Sequence, residues 1–151
     1  MRRRLSKVVL WGVGIFALMQ LVPYRVTNPS DRHEPPWDSA RTRQLAVAAC
    51  YACHSDQTHV YGFERIAPLS WWVTNHVERG RHKLNFSQWD LKAGPMGDAV
   101  KAVQDGSMPP SYYTWFGLHA EAKLSPAERA ELLKGMQATF LRNIQASPSG
   151  Q

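Results

Sequence analysis

The hydrophobic and polar positions divide the chain into stretches of different character. Met1 to Lys7 is basic, and Val8 to Val22 (VVLWGVGIFALMQLV) is almost wholly apolar. Arg25 to Trp37 (RVTNPSDRHEPPW) is polar and holds three prolines. A basic segment followed by a short apolar run predicts a signal anchor or signal peptide over residues 1–24. The run is shorter than the ~20 residues of a usual span. No small-residue cleavage site follows it, and Trp11 and Tyr24 near its ends suit an uncleaved anchor in the inner membrane. The flanking cations put the N-terminus inside and the rest of the chain on the periplasmic side. A buried N-terminal helix is the alternative. The prolines predict an extended linker over 25–37.

Helical periodicity begins at about Asp38. Asp38 or Ser39 can cap a helix running to about Cys53, with Leu45 and Val47 as inner positions. Residues 55–68 have no clean period and read as loop. Trp71 to Arg79 fits a short helix stopped by Gly80. Asn85 to Trp89 reads as a turn. Gly94–Pro95 breaks the chain, and 98–104 fits a further helix ended by Gly106. Met108-Pro109-Pro110 must be extended, because a residue before proline avoids the helical region. From Leu124 the helix is clearest: Ser125 and Glu128 form a capping box around Pro126. Leu132, Leu133, Met136, Phe140 and Ile144 then recur on one stripe. No strand pattern or internal repeat is visible. The expectation is a small all-α, cytochrome c-like domain of four or five short helices over 38–145, with a flexible tail over 146–151.

Charge changes this picture little. The net charge is +6, but Arg2, Arg3, Arg4 and Lys7 carry four of those six charges before the domain begins. The near-balanced remainder argues against nucleic-acid binding and leaves room for an acidic redox partner. Six Trp, five Tyr, five Phe and five Met suit a flat apolar cofactor, and equally an ordinary core.

The chemistry concentrates in Cys50-Tyr51-Ala52-Cys53-His54, which contains both cysteines of the chain. C-x-x-C-H is the attachment signature of c-type haem. On one helical turn both thiols can reach the porphyrin edge and His54 the iron. Two other chemistries fit the pair. Zinc could take the cysteines with His76 and His82, or the two thiols could form a redox dithiol. The leader favours covalent haem, because haem is attached beyond the cytoplasmic membrane. Met108, in a proline-stiffened loop, is the leading second axial ligand. A thioether paired with histidine raises the potential. Met96, Met136 and His82 are rivals, whereas His76 and His119 read as structural. Arg81 is a candidate partner for a haem propionate. Trp71, Trp72, Phe86, Trp89, Tyr112 and Tyr113 are candidate pocket walls.

These residues together resemble a known family. The stretch from about Trp37 to Leu141 is similar to the bacterial haem-binding domain proteins, a small monohaem c-type group. The likeness rests on Cys50-Tyr51-Ala52-Cys53-His54-Ser55, Trp72-Val73 with Gly80-Arg81, Asn85 to Trp89, Met108-Pro109-Pro110 and Ala122 to Ser125. From Tyr113 to His119 the spacing is longer than usual, and Ala120 stands where a proline is common. The resemblance implies one covalent haem and an N-terminal membrane segment, and it assigns no physiological role. The expected function is an exported, membrane-tethered monohaem cytochrome passing single electrons between redox partner proteins, with Cys50, Cys53, His54, Met108, Arg81 and Trp72 around the haem. The alternative is a haem sensor or peroxidase-like enzyme with a labile Met108. A zinc-bound structural module is the third reading.

Overall fold

The structure, a computed structural model, describes residues 2–89 and 94–146. It is helical, with six α-helices and no named strand among the described residues. They are α1 (Arg2–Met19), α2 (Ala40–Ala49), α3 (Tyr51–His54), α4 (Leu69–Lys83), α5 (Gly94–Gln104) and α6 (Pro126–Ala146). Single 3-10 turns cover Phe63–Arg65 and Ala120–Ala122, and a longer one covers Ser111–Gly117. The expected tail lies outside the described residues from 147 onward.

The leader folds as a helix, but the expected membrane-spanning anchor is not found. No helix among the described residues is long and apolar enough to cross a membrane. Arg2, Arg3, Arg4 and Lys7 occupy the first two turns of α1. The apolar part from Val8 to Met19 therefore reaches only ~18 Å, against a hydrocarbon core of ~30 Å. The Gln20 side chain then pairs with the backbone of Ala67: its amide donates to the Ala67 carbonyl (3.2 Å) and its oxygen accepts from the Ala67 N–H (2.9 Å).

Residues 25–37 form no helix, and this stretch is tied along the domain. Asn28 exchanges two hydrogen bonds with the backbone of Thr58. His33 forms a parallel bridge with Gln88, donating to the Ser87 carbonyl and accepting from the Trp89 N–H, both at 2.8 Å. Glu34 accepts from Arg43 (2.6 and 2.8 Å), Gln57 and Tyr51. The Arg43 hydrogen bonds hold its carboxyl well below the usual range, at about 2.

The core lies where α2, α5 and α6 meet. Thr42, Leu45, Ala46 and Ala49 form the buried face of α2, at helical spacing. Val47 is 41% exposed, so it is not the inner position expected. Leu132 and Met136 of α6 are fully buried, with Met96 and Val103 of α5 against them. Beyond Met136 the buried stripe passes to Thr139 and Asn143, while Ile144 is 46% exposed. Thr139 is accommodated by hydrogen bonds to the Gly135 carbonyl and from the Asp38 N–H. Gly135 lets α6 lie on α2, because a Cβ there would collide with the Thr42 side chain. The capping box of α6 is present: the Ser125 N–H donates to Glu128 (3.0 Å) and the Glu128 N–H to Ser125 Oγ (3.2 Å).

Candidate functional site

The C-x-x-C-H turn is not the end of one long helix. Ser39 caps α2, accepting from the Thr42 N–H. The helix breaks at Cys50, whose φ of −125° is not helical, and resumes as the single turn α3. The break follows from what α3 packs on. Its partner is α4, and the two meet at Gly80, where an added Cβ would fall on the Cys53 carbonyl oxygen. Gly80 therefore does not end α4, as its type suggests. It sits inside the helix, which continues to Lys83, and its missing side chain admits the backbone of Cys53.

His54 is oriented from behind. Its Nδ1 lies 3.0 Å from the carbonyl of Leu84. A carbonyl can only accept, so Nδ1 carries the proton and Nε2 keeps its lone pair. Metal-binding histidines are commonly held in this way. Burial pushes the imidazole below its usual pKa, with the Leu84 carbonyl opposing, so the ring stays neutral. The His54 carbonyl in turn accepts from the Phe86 N–H (2.7 Å). Phe86 anchors that strap in the core, stacked on Tyr51 at 5.5 Å. The rest of Asn85–Trp89 encloses the buried Asp56. Asn85 and Gln88 donate to its carboxylate, both at 2.9 Å, and its N–H donates to Ser87 Oγ.

Met108 reaches the same cavities from the loop after α5. Gly106, with φ +77°, reverses the chain after α5 in a conformation that favours glycine. The Met108 N–H then returns to the Ala102 carbonyl (3.0 Å). Cys50, His54 and Met108 together line two adjoining cavities of about 520 and about 270 Å³. Cys53 lines the smaller of these and a third, of about 210 Å³. The second and third share Tyr112 and Tyr113. This run of cavities brings together four residues that the sequence separates by up to 58 positions. A larger recess of about 570 Å³ beside His82 and Trp89 has walls of mixed polarity and includes none of the four.

The other candidates separate clearly. Phe86, Tyr112, Tyr113 and the half-exposed Trp72 are cavity walls. Trp71 and Trp89 line none of the three cavities. Met96 is a core residue, Met136 is core and touches the largest of the three, and His82 faces the separate recess.

Arg81 has a different role from the one expected. It donates to the carbonyls of Ser55 (2.8 Å) and Thr27 (2.7 Å), to Asn28 (2.9 Å) and to Thr58 (3.1 Å). It also lies 3.5 Å from Asp56. Its guanidinium clamps the extended N-terminal stretch and the turn after His54, leaving little to offer a propionate.

Two further features escape any reading of the sequence. One is the Leu84 carbonyl, since backbone partners carry no residue signature. The other is a buried pair, His119 Nε2 to Glu64 Oε1 at 3.4 Å, with Tyr113 stacked on His119 at 4.0 Å. Both members line the cavity next to Cys53. Burial pushes the Tyr113 hydroxyl pKa up.

The zinc reading fails on this geometry. Among the described residues no three His, Cys, Asp or Glu side chains come together as a metal site. The dithiol reading fares no better. Reactive thiols have lowered pKa values, whereas burial pushes Cys50 up to about 12 and Cys53 also upward. What remains is a neutral, oriented imidazole and two free thiols beside a largely apolar cleft. These residues fit haem: His54 and Met108 would hold the iron, and Cys50 and Cys53 the porphyrin edge.

Fold and site thus define a small helical haem protein. The haem-binding domain family matches residues 14–138, most of the chain, and the protein belongs to that family. Haem is the ligand that membership implies. No curated protein and no solved structure matches the chain.

Proposed function

We propose that the protein is an exported c-type cytochrome that holds one haem covalently through Cys50 and Cys53 and passes single electrons on the periplasmic side of the inner membrane. The observation that carries this reading is the His54–Leu84 hydrogen bond, in a residue that shares its cavities with Cys50 and Met108. It leaves His54 Nε2 free for iron on one side, and Met108 supplies a soft ligand for the other. An iron filled on both sides has no open position for substrate, which favours electron transfer over catalysis. The basic, apolar leader supports export.

The test is to express the full chain with the c-type maturation machinery and follow the haem through a denaturing gel. Haem that stays with the polypeptide, and is lost from Cys50→Ala/Cys53→Ala, supports covalent attachment. Haem that dissociates from the wild type overturns it. The charge-transfer band of methionine-ligated ferric haem should vanish in Met108→Ala, and its survival would remove Met108 as ligand.

A labile Met108 would instead make a sensor or peroxidase-like enzyme. The His119–Glu64 pair beside Cys53 favours this second reading, because it supplies an acid–base couple next to the cleft. Rapid CO binding by the reduced wild type would select it.

A further inference from the structure

Arg81 is committed to the protein, so the haem carboxylates need other partners. Two cations stand at the cleft without one among the described residues. Arg79 and Lys83 lie one turn apart on α4, and i, i+4 residues share a helix face. Both are exposed, and both line the cavity that holds Cys50, Cys53 and His54. Lys83 also lines the neighbouring, larger cavity. Gly80, which follows Arg79 directly in the chain, contacts the Cys53 backbone, so the pair stands beside the C-x-x-C-H turn while pointing away from the buried face of α4.

Neither forms an ion pair or a side-chain hydrogen bond among the described residues. The other exposed arginines near α2 differ: Arg41 pairs with Glu128 and Glu131, and Arg43 with Glu34. Glu78, next to Arg79, instead accepts from Tyr24. The other titratable groups along these two cavities are His76 on α4, Asp98 on α5, and Tyr112 and Tyr113 after the Met108 loop. Only Asp98 among them is an acid, and it forms no ion pair with Lys83.

We propose that Arg79 and Lys83 form a cationic site for the two carboxylates of a bound porphyrin, the role that residue type alone suggests for Arg81. The proposal rests on the haem reading. A carboxylate beside two cations ionises more readily. Its negative charge favours ferric over ferrous iron, and the cations offset that preference. The pair therefore raises the reduction potential and moves carboxylate ionisation to lower pH.

The test uses the full-length haem-loaded protein and measures its reduction potential against pH. The potential falls over the interval in which a haem carboxylate ionises. In Arg79→Gln/Lys83→Gln that interval should move up by about one pH unit or more, and the potential at neutral pH should fall. Arg79→Lys/Lys83→Arg should keep the wild-type profile, and Lys123→Gln, a cation lining none of these cavities, should do so too. An unshifted profile in the double glutamine variant overturns the proposal. An equal shift in Lys123→Gln also overturns it, because the effect would then be one of net charge. If the double variant does not load haem, the single variants Arg79→Gln and Lys83→Gln are read against the same criterion. A wild type that takes up no haem would defeat the haem reading itself, a different outcome.

Discussion

Gly80→Ala tests the packing that positions the haem-binding turn. In an exposed helix interior this change stabilises by ~1 kcal/mol, since glycine is the poorer helix former. At position 80 the sign should reverse. The new Cβ would meet the Cys53 carbonyl oxygen well inside contact distance, with the carbonyl carbon at 3.1 Å and the Cys53 Cβ at 3.3 Å. The nearest atom is backbone, so no side chain can swing away. Either α3 and α4 separate or the turn distorts, and overpacking of this kind costs roughly 1–3 kcal/mol. Allowing for the gain in propensity, a net loss of up to about 2 kcal/mol remains. Separation also stretches the His54–Leu84 hydrogen bond, so ligation should weaken along with stability. Urea unfolding of the haem-loaded protein, followed by far-UV circular dichroism and by the Soret band, reads both. Gly62→Ala is the control, because a Cβ there meets nothing within 4 Å; it should be neutral or slightly stabilising. A Gly80→Ala protein stabilised by the ~1 kcal/mol of an exposed site would refute the close approach of α4 to Cys53.

Three further outcomes follow from the same geometry. Arg81→Gln should lower stability by about 3 kcal/mol or more in urea unfolding, because it leaves Asp56 buried without its cation, while the pH profile of the potential stays as in the wild type. Ser125→Ala removes the capping box of α6 and should cost about 1 kcal/mol in the same assay. Glu34 has a lowered pKa in the folded state, so it stabilises the protein above its unfolded pKa of about 4.5, and that contribution is lost as pH falls toward about 2. Glu34→Gln should therefore flatten the acid side of a stability–pH curve, by about 1 kcal/mol once solvent screening of this surface pair is allowed for, and an unchanged acid limb would show that the Arg43 pair contributes nothing.

Residue order by itself determines the chemistry of this protein and most of its helices. Both cysteines and a histidine fall within five positions, and a local motif needs only one helical turn to bring its members together. The capping box at Ser125 and the stop at Gly106 are equally local, and both are present. The all-α character follows from the absence of any alternating pattern. Tertiary structure decides what depends on distant contacts. Gly80 reads as a helix stop by type, yet it lies inside α4 because the Cys53 backbone needs the space of its missing side chain. Arg81 reads as a propionate binder, yet carbonyl, amide and hydroxyl oxygens from two segments, 27–28 and 55–58, close around it. The predicted single helix from 38 to 53 breaks at Cys50, where α3 turns to pack on α4 and Phe86 as well as on α2. Periodicity placed Val47 inside, but the face of α2 that meets α6 runs through Leu45, Ala46 and Ala49. His54 is identifiable from the sequence, but the proton on its Nδ1 depends on the carbonyl of Leu84, thirty residues away. A pentapeptide can specify a cofactor, whereas the imidazole's tautomer and the cations facing the cleft depend on how α3 and α4 pack.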